Sequence, residues 1–240
     1  MSPTPLLLPG QAAAPEGPAD MTMMYVLHHA FRRDLRDFTR AAAHTATDDT
    51  PRWVLLAERW SLFTHELHQH HTKEDEILWP LLLERVRAAS DAESERVLHE
   101  MEAEHAVLDP LLTAASAALE RLSAGGDVRA HDLLSDSLEE LGEALDQHLG
   151  HEESAAIPIL HRYVGGSEWE ELERTRFRPK QSLAQARQFV PWALKGLPAD
   201  AEHRVLNLGG PALRIINALG RRRFQAQEAA AFGGRLRRPT

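Results

Sequence analysis

The amino-acid sequence predicts an all-α protein, an up-down-up-down four-helix bundle followed by a C-terminal helical extension. Apolar residues recur at every third or fourth position in four long segments before residue 165, and no segment alternates with the period of a strand. Short turns separate these segments, which makes neighbouring helices antiparallel. We divide the chain into a disordered leader (1–20), the bundle (21–165) and a basic helical extension (166–240) that packs on the bundle or mediates association.

The first two predicted helices each place a histidine among apolar residues. The first begins near Thr22, and its stripe is Met24, Leu27 or His28, Phe31, Leu35, Phe38 and Ala42. The second runs from about Pro51 to Ala88 and is bent near Pro80, because proline cannot donate the helical hydrogen bond. Its stripe contains His70 and Glu74 where leucine is expected. A buried carboxylate without a partner is costly, so Glu74 requires one.

The third and fourth predicted helices repeat this arrangement. The third starts at the capping-box pattern Ser90-Asp91-Ala92-Glu93, ends at Gly125-Gly126, and carries His105 in its stripe. The fourth carries His148 and Glu152 and ends at Gly165-Gly166. The extension is less regular, and Gly209-Gly210-Pro211 interrupts its last apolar segment.

Composition and charge narrow the function. The chain has no cysteine, which excludes thiolate metal sites and a cysteine nucleophile and fits a cytoplasmic protein. No apolar run is long enough to span a membrane, and the leader lacks the features of a signal peptide. Residues 1–165 are strongly acidic whereas residues 166–240 are basic, so the extension can dock on the bundle. The extension contains the basic clusters Arg221-Arg222-Arg223 and Arg235-x-Arg237-Arg238. We interpret them as part of a solvated basic tail rather than as a nucleic-acid-binding site.

A repeated motif carries the metal chemistry. His70 and His148 each open the pattern His-x3-Glu-x5-Pro, and each is preceded by a lone histidine about 42 residues earlier, His28 and His105. Residues four apart share one helix face. The predicted metal ligands are therefore His28, His70, Glu74, His105, His148 and Glu152. Nitrogen and oxygen donors suit iron, manganese or zinc, and six donors suit two octahedral metals better than one tetrahedral zinc.

Residues from about 21 to 163 resemble the hemerythrin-like, or HHE cation-binding, domain. The resemblance rests on Tyr25-Val26-Leu27-His28-His29-Ala30-Phe31-Arg32-Arg33-Asp34-Leu35, His70-His71-x2-Glu74-Asp75-x3-Trp79-Pro80, Met101-Glu102-Ala103-Glu104-His105 and His148-x3-Glu152-Glu153. It implies a four-helix bundle with two non-haem iron ions joined by a bridging oxo or hydroxo group. Such a centre binds or senses oxygen, nitric oxide or peroxide. The alternatives are an oxidoreductase that consumes peroxide or nitric oxide, or a metal-switched regulatory module that acts through the basic tail.

The sequence departs from the oxygen-carrying hemerythrins at two positions. Those proteins bind with five histidines and a His-x3-His pair on the third helix, but here Met101 stands four residues before His105. Their fourth helix also spaces its carboxylate five residues after histidine, which would select Glu153; the helix register and the internal repeat select Glu152. One histidine fewer favours redox reactivity or sensing over simple oxygen carriage.

The remaining polar residues receive less specific interpretations. His65, His68 and His71 are predicted to share a solvated face with Asp75, although a second metal site there is an alternative. Glu104 is predicted at the rim, with a role in orienting a ligand or in replacing one as alternatives. Tyr25 and Trp79 are predicted to pack against the core.

Overall fold

In a computed structural model, the regular secondary structure of the described residues, 4–177 and 182–233, is entirely helical. The first part of the chain contains α1 (Thr22–His44), α2 (Thr50–Lys73), α3 (Trp79–Ala88), α4 (Ala92–Ser123), α5 (Val128–His151) and α6 (Ile157–Tyr163). The extension contains α7 (Gly166–Leu172), α8 (Leu183–Leu194), α9 (Ala199–Leu208) and α10 (Gly210–Phe232). The all-α prediction is confirmed. None of the described helices combines the length and the apolar character that a membrane crossing requires.

The long helices of the bundle surround one apolar core. α1 packs on α2 and α5, and α4 packs on the same two helices. The core between them includes the fully buried side chains of Phe31, Phe63, Leu98 and Leu141. The four long helices therefore each turn one face toward a shared interior, which is where the candidate ligands lie.

Three aspartates begin the long helices that follow α1. Asp49, Asp91 and Asp127 each accept a hydrogen bond from the backbone N–H three residues later. Such caps satisfy one of the free donors at a helix start. The capping residue of α4 is Asp91 rather than the predicted Ser90, because Ser90 has a φ of 56° and belongs to the preceding turn.

Two π-helical turns interrupt the helices that carry the repeated motif. They span Glu74–Leu78 and Glu152–Ala156, and each begins at the glutamate of the motif. The N–H that follows each turn donates to the carbonyl of that glutamate, five residues earlier. The prolines at 80 and 158 lack the N–H that would continue the α-helical pattern, so the motif places a locally widened turn beside both carboxylates. A π-helical turn therefore precedes Pro80, where the sequence predicted a bend, and the bend itself stays a prediction.

The extension covers α1 and α2. α8 packs on α1, and α10 packs on α2 and α8. At their contact the buried Asp34 carboxylate accepts hydrogen bonds from Arg33, from Arg59 at 2.6 Å and from the Trp192 indole at 2.8 Å. One charge of α1 thus ties α2 and the extension together.

The N-terminal residues pack on the bundle. Residues 4–20, expected to be a disordered leader, lie against the bundle and bury Leu6 and Leu8 in its core. The predicted basic cluster at Arg235, Arg237 and Arg238 lies outside the described residues.

Candidate metal centre

The structure brings all six predicted ligands into the interior of the bundle, in two neighbouring sets. The first set consists of His28, His70 and Glu152, and the second set consists of His71, Glu74, His105 and His148. Within each set the donor atoms lie within 4.8 Å of one another. All seven side chains are buried. The second set contains one residue, His71, that was not among the predicted ligands.

Most of the nitrogen and oxygen atoms of these sets that could bind a metal have no hydrogen-bond partner among the described residues. The unpartnered atoms are Nε2 of His28, His70 and His71 and both carboxylate oxygens of Glu74 and Glu152. The other two histidines, His105 and His148, bring their Nε2 atoms to 3.1 Å from each other. Buried polar atoms without partners are costly, and metal cations would satisfy them. The nitrogen and oxygen donors present therefore fit a pair of metal ions.

Glu74 lies between the two sets. Its Oε1 is 3.1 Å from His70 Nε2 of the first set, and its Oε2 is 3.6 Å from His105 Nε2 of the second. Glu152 instead approaches His28 of its own set, with 3.2 Å between Oε2 and Nε2. The Glu74 carboxylate thus faces one histidine of each set.

The prediction that His71 lies on a solvated face is wrong. Its side chain is buried, and its ring stacks on that of His105 with 4.0 Å between the centroids. Each residue turns an α-helix by about 100°, so Glu74 lies about 40° from His70 and about 60° from His71. The spacing of three residues between His71 and Glu74 is the feature of the sequence that could have placed His71 beside Glu74. The other two histidines of that group, His65 and His68, are exposed as predicted.

His71 changes the comparison with the oxygen carriers. Met101 is fully buried and offers no nitrogen donor, as the sequence indicated. His71 enters the second set from α2, so the two sets together contain five histidines and two glutamates. The hypothesis that redox reactivity or sensing is favoured over oxygen carriage rested on one histidine fewer than in the carriers. With His71 counted, the number of histidines is the same.

Three of the histidines are held by carboxylates that lie outside the two sets. His28 Nδ1 is 2.8 Å from Glu153, His105 Nδ1 is 2.8 Å from Asp75, and His148 Nδ1 is 2.9 Å from Glu104. Such contacts fix the orientation of a histidine ring and leave Nε2 free to bind a metal.

The structure also shows the surroundings of two glutamates, Glu153 and Glu104, whose roles the sequence left open. Glu153 contacts the candidate ligand His28, whereas Glu152 belongs to the first set. Glu104 is partly exposed, as predicted for a residue at the rim, and its carboxylate also contacts His148 and, at 2.7 Å, His151.

The ionisation of the centre follows from its burial and its charges. Burial opposes a charge on His28, but Glu152 and then Glu153 outweigh it and raise the pKa of His28 to about 9. Burial also opposes the charge of Glu152, and His28 nevertheless holds its pKa below the ordinary value. Burial, followed by the charge of Glu152, raises the pKa of Glu74 well above its usual range. The pKa values of His70 and His71 are lowered, chiefly by burial, so both imidazoles are neutral and able to bind metal. His28 and Glu74, whose pKa values are raised, would release a proton when a metal binds.

Two aromatic residues of the predicted motif pack in the interior, as expected. Tyr25 and Trp79 are both buried. The Tyr25 hydroxyl and the Trp79 indole nitrogen have no hydrogen-bond partner among the described residues. Burial, followed by the charges of Glu153 and Glu152, raises the pKa of Tyr25, so this hydroxyl remains a donor at neutral pH.

The comparisons with known proteins agree with this geometry. The sequence profile of the family described as "Hemerythrin HHE cation binding domain" matches residues 16–174, more than half of the chain. A zinc finger protein BRUTUS-like of Arabidopsis thaliana is 26% identical over 199 residues, which are 80% of this chain and 16% of that protein. The chain thus spans a small fraction of the length of this relative. No solved structure was found to match the chain. The chain belongs to the hemerythrin HHE cation-binding family.

Proposed function

We propose that the chain is a non-haem di-iron protein that binds or senses oxygen, nitric oxide or peroxide. We also propose that α1, α2 with α3, α4, and α5 with α6 form the up-down-up-down four-helix bundle of this family. The observation that carries the proposal is the convergence of seven buried side chains whose metal-binding atoms largely lack other partners. His28, His70 and Glu152 would hold one metal, and His71, Glu74, His105 and His148 the other.

The donor set favours iron or manganese over zinc. Five imidazoles and two carboxylates, without a thiolate, suit divalent iron or manganese in sites of high coordination number. A structural zinc site is saturated by four protein ligands, so seven donors at two adjoining points fit zinc less well. When bound, iron would supply reversible ligand binding and one-electron redox chemistry.

The two sets differ in how much of the coordination the protein supplies. The first set offers three residues of its own and the second offers four. We therefore assign the small exogenous ligand to the first set. Phe31 packs against His70 there, with 5.3 Å between the ring centroids, and keeps that side of the set apolar. An apolar wall suits a small neutral molecule and excludes water from the site.

Metal content and an absorption spectrum test the proposal. Purified wild-type protein should hold two irons per chain and show a charge-transfer band that shifts on addition of azide. The His70→Ala variant should lose one iron and the azide response, because His70 belongs to the first set. The exposed His68→Ala variant is the matched control. A metal-free protein that is equally stable would refute the proposal.

Three further expectations stay predictions. They are a cytoplasmic location, association of copies through the extension, and the choice between carrier, sensor and peroxide- or nitric-oxide-consuming oxidoreductase. Turnover of peroxide by the iron-loaded protein would support the oxidoreductase.

A further inference from the structure

A segment without regular secondary structure lies beside the first set. We call residues 4–20 the N-terminal strap. Its apolar side chains Leu6, Leu8 and Ala19 are buried, and together they belong to the hydrophobic core of the protein. The strap is thus part of the folded unit, although its sequence has no helical or strand period.

A tight turn fixes the direction of the strap. Leu8-Pro9-Gly10-Gln11 has proline at the second position and, at the third, a glycine with a φ of 87°, the pattern of a type II turn. The Gln11 N–H donates to the Leu8 carbonyl at 3.1 Å, and the Leu8 N–H donates to the Gln11 side chain at 2.9 Å. The Gln11 amide also donates to the Ala13 carbonyl at 2.6 Å. The N–H of Ala12, between these anchors, therefore has a fixed orientation.

That N–H reaches the support of a candidate ligand. Ala12 N–H donates to Glu153 Oε2 at 2.7 Å. The other oxygen, Oε1, is 2.8 Å from His28 Nδ1, and the Arg32 guanidinium bonds both oxygens at 2.6 and 3.2 Å. Glu153 is fully buried. The strap is thus one hydrogen bond away from the carboxylate that orients His28, and its loss would leave a buried carboxylate oxygen with one donor fewer.

The C-terminal extension holds the strap in place. Arg204 of α9 donates to the Thr4 carbonyl and, at 3.0 Å, to Asp20, so it contacts both ends of the strap. Trp169 of α7 donates its indole N–H to the Asp20 carbonyl at 3.1 Å. Between these anchors, Gly17 lies against the His161 ring so closely that a Cβ there would be 2.0 Å from Cγ. The strap is therefore enclosed between the bundle and the extension.

We propose that the strap is a positioning element of the metal centre and that it controls metal release from the first set. This inference rests on the proposed metal-binding function. The strap, through Ala12 and Glu153, keeps His28 oriented, and the extension keeps the strap closed through Arg204 and Trp169. The supports of the second set are less covered by the described residues, since the side chains of Asp75 and Glu104 are 42% and 32% exposed. Release from the second set should not depend on the strap.

The test is the rate at which a colour-forming chelator removes iron(II) from the full-length protein under anaerobic conditions. Wild type should show two phases of about one iron each; His28→Ala should abolish the slower and His71→Ala the faster. Ala12→Pro removes the donor to Glu153 and should accelerate the slower phase about tenfold or more, the effect expected from losing the support of a ligand. The matched control is Ala13→Pro, because the Ala13 N–H donates to no group among the described residues.

A second variant separates positioning from a local folding defect. Arg204→Ala opens the strap far from Glu153 and should accelerate the same phase by a smaller factor, with unchanged far-UV circular dichroism. Glu153→Gln keeps an oxygen that accepts from Ala12 and should retain two irons with an intermediate rate. Unchanged rates in both Ala12→Pro and Arg204→Ala, or equal acceleration of both phases, would overturn the inference while leaving the metal centre intact. A wild type that binds no iron would instead refute the proposed function itself.

Discussion

The two ligand sets have similar donors but different surroundings. In the first set, the support of His28 is Glu153, which is fully buried and is held by Arg32 and by the strap. In the second set, His105 and His148 are supported by Asp75 and Glu104, which reach solvent. Water can replace a partner of an exposed carboxylate but not of a buried one. The interior therefore protects one metal position more completely than the other.

This difference arises from the surrounding chain rather than from the internal repeat. His70 with Glu74 and His148 with Glu152 occupy equivalent places in the two halves. The strap and the extension pack against α1, where they contact Arg32, Arg33 and Asp34. The extension also packs on α2. A duplicated motif thus becomes an asymmetric centre through segments outside the repeat.

Metal removal should have the largest effect on stability. A ligand that binds only the folded state at 1,000 times its Kd stabilises it by about 4 kcal/mol per site. We expect a chelator to lower the melting temperature in two steps, with the second set emptied first. The His28→Ala/His71→Ala double variant is the control and should not respond to chelator. A single step for wild type would show that the two sets do not differ.

The second-largest effect is expected for Asp34→Asn, with a loss of about 3–5 kcal/mol in the free energy of unfolding. The substitution leaves the buried Arg33 without its carboxylate partner and leaves Arg59 with Glu228 alone. Burial alone would raise the pKa of Asp34, but the two guanidinium groups outweigh it and hold that pKa below its usual value. The stabilisation is therefore present above the unfolded pKa of about 3.9 and is lost as the pH falls through the folded value.

Denaturant titrations of Asp34→Asn at several pH values check this. The difference from wild type should be full at pH 7 and should shrink in strongly acidic solution. Exposed Asp132→Asn serves as control and should match wild type at every pH. A difference that grows on acidification would contradict the assigned charge state.

Removing the carboxylate that supports a histidine in each set compares the two sets directly. Removal of an outer partner of a metal ligand costs about 10- to 100-fold in affinity. Glu153→Ala should fall in this range at the first set, and Asp75→Ala should cost less at the second because water can reach His105. Competition titrations with a metal indicator measure both. Equal losses would mean that burial of the support has no influence.

The smallest effect is expected for the exposed histidines of α2. His65→Gln and His68→Gln should leave metal content and both release phases unchanged, since neither residue lies in a ligand set. His71→Gln, three residues further on, should remove the metal of the second set. Loss of metal on changing His68 would restore the alternative of a separate site on that face.

The sequence predicted the parts of the centre that follow helix periodicity. His70, Glu74, His148 and Glu152 repeat at a spacing of four, and the lone histidines share their apolar stripes, so their convergence followed from helix geometry. His71 was misplaced because its neighbour His70 already occupied the stripe. Its spacing of three to Glu74 carried the same information.

The surroundings of the centre could not be derived in that way. The strap has no helical or strand period, and Pro9 and Gly10 mark one turn in it. Its contact with Glu153 spans 141 positions of the sequence. Asp34 meets Trp192 over 158 positions. Such contacts depend on how separate segments pack, which a local pattern does not encode.

The most direct test of the account is elemental analysis of iron per chain in wild type, His28→Ala, His71→Ala and the double variant, after saturation and removal of free metal. We expect two irons in wild type, one in each single variant and none in the double variant. One iron in wild type, or two in His71→Ala, would contradict the assignment of seven residues to two metal positions.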